Sequence, residues 1–77
     1  MELRVLRYFL AVAQEGGVTR AAEILHLTQP TLSRQMSQLE ENLGVQLFER
    51  DKRGFKLTQD GMLLKRRAQE MLRLAEQ

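Results

Sequence analysis

The chain has 77 residues, 43% hydrophobic and 29% charged, which is enough for one small domain with a modest core. It contains no cysteine and a single histidine. This composition excludes disulfide frameworks, zinc sites built from clustered Cys and His, and cysteine nucleophiles. The longest apolar run, residues 8–13, is too short for a membrane span or a signal peptide. We therefore expect a cytoplasmic protein.

The charge is distributed unevenly along the chain, although the net charge is only +2. Residues 1–49 carry a net charge of −2, whereas residues 50–67 carry +5. A local concentration of positive charge attracts polyanions such as nucleic acid. A solvated basic face with no partner is the alternative interpretation.

Helical spacing of apolar residues predicts a first helix over about residues 2–15, which ends at Gly16-Gly17. Thr19 is expected to cap a short second helix that ends at Leu25. The residues of this second helix that are expected to face inward are Ala21, Ala22, Ile24 and Leu25.

A third helix is predicted from Thr28, as its cap, to Gly44, with Pro30 in the first turn, where a missing N–H costs little. Its spacing of four, three and four residues predicts one apolar stripe. That stripe consists of Leu32, Met36, Leu39 and Leu43.

After Gly44 the pattern changes to short stretches around residues 45–50 and 55–57, separated by Asp51-Lys52-Arg53-Gly54. Asp and Gly at the ends of a four-residue turn favour a two-stranded hairpin. Thr58 is then expected to cap a fourth helix, with Asp60 in its first turn. The sequence stops inside this helix without a breaker, so we expect a longer parent protein.

This order of elements predicts a mainly α winged helix-turn-helix, with three helices and a two-stranded β-hairpin wing, followed by a further helix. The third helix would turn small or polar residues away from its apolar stripe, and such residues suit the DNA major groove. These residues are Pro30, Ser33, Arg34 and Ser37, with Gln29 and Thr31 at the margins. An ordinary solvated helix face has a similar composition.

The predicted hairpin concentrates Arg50, Lys52, Arg53 and Lys56 around a projecting turn. Phosphates or a narrow minor groove would relieve the repulsion between these side chains. Arg53 at the tip is the candidate for minor-groove insertion. Arg50 could equally be structural, paired with Glu49, Asp51 or another acid.

Residues from Leu3 to Gly61 resemble the N-terminal DNA-binding domain of the LysR-type transcriptional regulators. The residues that carry this resemblance are Ala22, Leu25, Thr28-Gln29-Pro30, Ser33, Leu39-Glu40, Leu43-Gly44, Leu47-Phe48, Arg50, Arg53, Leu57-Thr58 and Gly61. The resemblance implies a bacterial regulator in which Gln29, Pro30, Ser33 and Arg34 face the major groove. It also implies that Thr31 and Ser37 lie near the DNA backbone and that Arg53 enters the minor groove.

On this basis residues 1–60 form the DNA-binding domain, with the helix-turn-helix at about 18–37 and the wing at about 46–57. Residues 61–77 would begin the family's linker helix, and the C-terminal inducer-binding domain would lie outside this chain. Gly61 and four later residues fall at coiled-coil spacing and predict dimerisation. The predicted dimer residues are Leu64, Ala68, Met71, Leu72 and Ala75. Packing of this helix on its own domain is the alternative.

We therefore expect sequence-specific binding of double-stranded DNA by a homodimer on a partly palindromic site, with higher oligomers in the full-length protein. We expect no catalysis, cofactor, metal or membrane partner. A protein-docking module would need apolar anchors on the third helix, where Ser33 and Arg34 are poor ones. An RNA-binding domain would need exposed aromatic residues, and the four aromatic residues lie mostly at expected core positions. His26 has no partners for metal binding or catalysis.

Overall fold

A computed structural model of the chain describes residues 2–51 and 54–77, and in this part of the chain the elements follow the predicted order. The structure is a mainly α winged helix-turn-helix followed by a further helix, as predicted. The elements are α1 (Leu3–Glu15), α2 (Val18–Leu25), α3 (Gln29–Leu43), β1 (Phe48–Asp51), β2 (Gly54–Leu57) and α4 (Gln59–Ala75). None of the helices in the described ranges combines the length and the apolar character needed to cross a membrane.

The core lies between the first three helices and extends to the hairpin. Its buried members are Phe9, Val12, Val18, Ala21, Ala22, Leu32, Met36, Leu39 and Leu47. The ring of Phe9 lies 5.4 Å from that of Phe48, which in turn lies 4.8 Å from that of Phe55. This aromatic chain fixes the hairpin to α1, because two four-residue strands are marginal without packing of this kind.

The start and the inner face of α2 differ from the prediction. The helix begins at Val18 with Gly17 as its N-cap, and no side chain caps it, so the predicted Thr19 cap is wrong. Val18 is buried in the core, which places Thr19 inside the first turn. Ile24, expected to face inward, is exposed instead, since it lies about 100° away from the buried face that Val18, Ala21 and Ala22 form.

The predicted start and end of α3 are confirmed. The side chain of Thr28 accepts a hydrogen bond from the Thr31 N–H at 3.3 Å, and Pro30 lies in the first turn. The helix ends at Gly44, where φ is +70° and the N–H donates to the Glu40 carbonyl at 2.8 Å. The first three members of the apolar stripe are buried, but Leu43 is 40% exposed because it lies in the last turn, at the edge of the core.

Strands β1 and β2 pair antiparallel from Phe48↔Leu57 to Asp51↔Gly54, so the predicted hairpin is confirmed. The first strand begins at Phe48, later than predicted, because the preceding residues bond to helices. The Leu47 N–H donates to the carboxylate of Glu40, and the Leu47 carbonyl accepts from the Thr58 N–H at 3.0 Å.

The predicted Thr58 cap of α4 is confirmed, and Asp60 lies in its first turn. The Thr58 hydroxyl accepts from the Gly61 N–H at 3.0 Å and donates to the Gln46 carbonyl at 2.6 Å. Gly61 is buried directly against the Leu47 carbonyl, which leaves no room for a Cβ atom. From this start α4 packs along α1, and at its far end Glu76 pairs with Arg7 at 3.2 Å.

Candidate nucleic-acid interface

The predicted reading residues lie together on the first half of α3. Gln29, Pro30, Arg34 and Ser37 are exposed, whereas Thr31 and Ser33 are half-buried. They lie opposite a stripe that Leu32, Met36 and Leu39 anchor in the core. The helix therefore presents an amide, a hydroxyl and a guanidinium to solvent from a rigid support, and these groups have the donors and acceptors that base edges require.

Thr31 and Arg34 differ in their contacts with the rest of the protein. The Thr31 hydroxyl accepts a hydrogen bond from the Thr28 hydroxyl at 2.8 Å, so it belongs in part to the helix cap. Arg34 takes part in none of the ion pairs found within residues 2–51 and 54–77. Its five N–H donors therefore face solvent as a fork that fits guanine or a phosphate.

Gln29 and Arg50, predicted separately on the helix and the wing, line one open cleft. The cleft also contains Thr19 and Arg20, which the sequence interpretation did not include among the site residues. Arg20 lies 3.8 Å from Glu15 and 3.9 Å from Glu23, so its charge is partly balanced. Packing of α2 against α3 brings the starts of the two helices together, and the helix-turn-helix order was the signal that could have identified these residues.

The described part of the wing contributes Arg50 and Lys56, both exposed. Lys56 lies 3.8 Å from Glu49 on the opposite strand, at a cross-strand pair. This exposed pair contributes little to stability because water screens it, and the Glu49 carboxylate offsets the charge of Lys56. Lys52 and Arg53, both predicted to contact DNA, lie outside the described residues.

The predicted dimer residues on α4 do not share one accessible face. Leu64 is half-buried, and Met71 and Ala75 are exposed. Ala68 is fully buried and Leu72 is only 8% exposed within the single chain, so these two offer a second copy almost no surface. Both residues lie on the packed side of α4, and dimerisation through this helix stays a prediction.

The apolar surface that α4 leaves open lies beside its packed side. Leu74 is 69% exposed, and Leu63 and Met71 are also exposed. These three side chains fall within about 80° of one another around the helix axis, and Leu63 and Leu74 lie on the side away from Ala68 and Leu72. We call these three residues the outer apolar face of α4.

A metal site is not supported by the described residues, which contain no group of three or more His, Cys, Asp or Glu side chains placed to bind an ion. His26 is exposed at the end of α2, with a left-handed backbone at φ 59°. It therefore serves as the C-cap of that helix, where its N–H donates to the Glu23 carbonyl at 3.2 Å.

The sequence of the chain matches a known family of proteins. The family model described as bacterial regulatory helix-turn-helix protein, lysR family, matches residues 3–62. The chain belongs to the LysR family. Among curated relatives, it is 51% identical over 73 residues to the HTH-type transcriptional regulator BsdA of Bacillus subtilis (strain 168), across 94% of this chain and 25% of BsdA. It is 49% identical over 76 residues to the regulator ClcR of Pseudomonas putida, across 99% of this chain and 26% of ClcR.

Solved LysR-family structures share the fold as well as the sequence. The crystal structure of the BenM_DBD/catB site 1 DNA complex superposes with a TM-score of 0.93 and 47% identity, over 99% of this chain and 84% of that one. That protein was crystallised with DNA. The chain spans about a quarter of the length of the curated relatives it matches.

Proposed function

We propose that this LysR-family chain is the part of a bacterial transcriptional regulator that recognises double-stranded DNA, acting in the cytoplasm. The exposed polar face at the start of α3, opposite its buried stripe, is the observation that carries the proposal. An α-helix fits the major groove, and the first residues of a recognition helix are those that reach base edges.

The residue types suggest a division of roles on that face. Gln29 has the paired donor and acceptor that suit adenine, and Arg34 has the donor pair that suits guanine. Pro30 and Ser33 are small enough for the helix to approach the bases closely. Thr31 and Ser37 are assigned to the DNA backbone, and the Thr28–Thr31 hydrogen bond supports a positioning role for Thr31.

The wing is proposed to bind the neighbouring minor groove. Arg50, Lys52 and Arg53 supply positive charge on the hairpin, and Arg53 is the candidate for insertion into the groove. Arginine is favoured where the minor groove narrows, as it does in A/T-rich sequence. The shared cleft of Gln29 and Arg50 supports the joint action of helix and wing on one stretch of duplex.

A homodimer joined through α4 is proposed to place two reading helices on a partly palindromic site. The surface available for this contact is the outer apolar face of α4 together with Leu64 and Ala75. Two-fold symmetry in the protein requires approximate symmetry in the DNA, with half-sites separated by about one or two turns of duplex. Higher oligomers and inducer binding are proposed for the full-length protein.

Selection of bound oligonucleotides from a random duplex pool tests recognition and symmetry together. We expect a recovered motif with two related half-sites, and an affinity that falls steeply as salt is raised, since phosphate contacts release counterions. A pool with no enriched motif would contradict sequence-specific binding. Enrichment of a single unpaired half-site would contradict the dimer but not the reading helix.

Arg34→Ala tests the major-groove assignment on that recovered motif. The substitution is expected to cost about 1–3 kcal/mol of binding free energy at one base pair and to relax selectivity there. Arg7→Ala is the matched control, because it removes the same charge from an exposed residue that pairs with Glu76. Equal weakening on all sequences would make Arg34 a phosphate contact.

Arg53→Ala tests the wing in the same assay. It is expected to reduce the preference for A/T-rich sequence beside the half-sites while leaving the bases read by α3 unchanged. Arg7→Ala again controls for the lost charge. An unchanged flank preference would exclude Arg53 from minor-groove readout.

A further inference from the structure

A single carboxylate joins the reading helix to the wing. Glu40 lies in the second half of α3, and its Oε2 atom accepts hydrogen bonds from the Leu47 N–H at 2.7 Å and the Phe48 N–H at 3.3 Å. Phe48 is the first residue of β1. The side chain of one helical residue therefore binds the backbone at the point where the hairpin begins.

The main chain of Glu40 strengthens the same connection. Its carbonyl accepts from the Gly44 N–H at 2.8 Å and from the Val45 N–H at 3.2 Å. Backbone and side chain of this residue thus bond four of the five N–H groups between residues 44 and 48. The carboxylate bonds lie in a partly buried setting, where charge-assisted hydrogen bonds are stronger than neutral ones.

We infer that Glu40 is a positioning residue for DNA recognition, which sets the angle of the wing relative to the reading helix. The inference rests on the proposed function, in which α3 and the hairpin enter neighbouring grooves of one duplex. A rigid helix and a rigid hairpin bind together only if their mutual geometry matches the spacing of the grooves. The Phe9–Phe48–Phe55 packing supports the hairpin from the core, and Glu40 holds the start of its first strand.

Electrostatics alone predicts that removal of the Glu40 carboxylate strengthens DNA binding instead of disturbing it. A carboxylate on a DNA-binding helix repels phosphates, so its removal should strengthen binding to every duplex. Glu41 provides the comparison, since it is the neighbouring residue of α3, has the same charge and is exposed. Within residues 2–51 and 54–77, no side-chain hydrogen bond joins Glu41 to the hairpin.

The test compares Glu40→Ala, Glu40→Gln and the control Glu41→Ala on two duplexes. Both duplexes contain the half-site recovered by selection, and they differ only in an A/T-rich or a G/C-rich flank. Fluorescence anisotropy gives the ratio of the two affinities for each variant. This flank ratio separates positioning from folding, because a loss of folded protein lowers both affinities by the same factor.

We expect Glu40→Ala to reduce the flank ratio by about fivefold, the effect of losing one groove contact. Glu40→Gln retains an acceptor oxygen and should preserve part of the ratio. Glu41→Ala should leave the ratio unchanged and bind both duplexes as tightly as the parent chain or more tightly. If Glu40→Ala does not fold, the test rests on Glu40→Gln, whose flank ratio should lie below that of the parent chain.

Amide hydrogen exchange checks the contact itself. Exchange at Leu47 and Phe48 should accelerate in Glu40→Ala but not in Glu41→Ala. An unchanged flank ratio in both Glu40 variants, or an equal change in Glu41→Ala, would overturn the positioning role while DNA binding stands. A parent chain that binds duplex without a flank preference would overturn it too, and a parent chain that binds no duplex would overturn the proposed function as well.

Discussion

The third and fourth helices are both amphipathic, yet the sequence defines the inner face of only one of them. In α3 a single apolar stripe is buried and the opposite side is polar. In α4 apolar side chains occur around much of the helix, and the structure buries Ala68 and Leu72 while it exposes Leu63, Met71 and Leu74. Helical spacing identifies a face only when the remaining faces are polar.

The difference explains why the exposed and buried sides of α3 follow from its sequence, whereas those of α4 do not. In α3 the buried stripe leaves one orientation for Arg34, so its exposure follows directly. In α4 the residues at coiled-coil spacing lie on one side of the helix but differ in burial, since Ala68 is buried whereas Met71 and Ala75 are exposed. Only tertiary packing against α1 separates the face of α4 that stabilises the single chain from the face that stays exposed.

The largest expected effect is on the free energy of unfolding, when a side chain of the buried stripe of α3 is shortened. Leu32 is completely buried, so Leu32→Ala should lower the free energy of unfolding by about 2–5 kcal/mol, as cavity-forming substitutions do. Leu43→Ala, in the same stripe but 40% exposed, should cost much less. Chemical denaturation monitored by circular dichroism measures both. Equal costs would mean that the stripe is not anchored as the structure has it.

The next prediction compares the buried face of α4 with its exposed apolar face. Leu72→Ala should lower the free energy of unfolding of the single chain by about 2–3 kcal/mol, because Leu72 is buried within it. Leu74→Ala should leave that stability nearly unchanged and instead weaken self-association, since Leu74 is exposed. Denaturation at low protein concentration and sedimentation equilibrium distinguish the two outcomes. Reversed effects would assign the faces the other way.

A smaller effect is expected at the start of α4. Gly61→Ala would place a Cβ against the Leu47 carbonyl, and overpacking costs about 1–3 kcal/mol. The better helix propensity of alanine returns about 1 kcal/mol, so the net loss should be about 0–2 kcal/mol. Gly17→Ala is the control, since nothing lies within 4 Å of the added atom there. A gain in thermal stability for Gly61→Ala would contradict the close approach.

The smallest effect concerns the other end of α4. The exposed Arg7–Glu76 pair joins α1 to α4 at 3.2 Å, and a pair of this kind contributes about 0.2–1 kcal/mol. A double-mutant cycle with Arg7→Ala and Glu76→Ala should give a coupling energy in this range that falls as salt is added. A larger, salt-independent coupling would indicate that the pair does more to hold α4 in place than its exposure suggests.

Much of the fold could be predicted because its signals are local. The caps at Thr28 and Thr58, the termination at Gly44 and the hairpin follow from residue chemistry within a few positions. The predicted start of α2 was wrong for a tertiary reason, because burial of Val18 overrides the preference of Thr19 for a cap. Exposure of Ile24 also has a tertiary cause, because only the face of α2 that contains Val18, Ala21 and Ala22 packs into the core.

The candidate site was predictable only in part. The residues of α3 follow from one periodicity, so their grouping needed no knowledge of the rest of the chain. The cleft that joins Gln29 to Thr19 and Arg50 depends on three elements that meet in space. The contact of Glu40 with the backbone of Leu47 could not be predicted, because the sequence does not indicate which main-chain groups a helical glutamate binds.

Thr58 is the single residue between the hairpin and α4. Its N–H and its hydroxyl are both hydrogen-bonded. The end of the hairpin and the start of the helix are therefore held in one fixed arrangement. With 17 residues, α4 is about 25 Å long, and it also packs along α1. The wing is thus supported from two sides, by the aromatic contact with α1 and by the joint with α4.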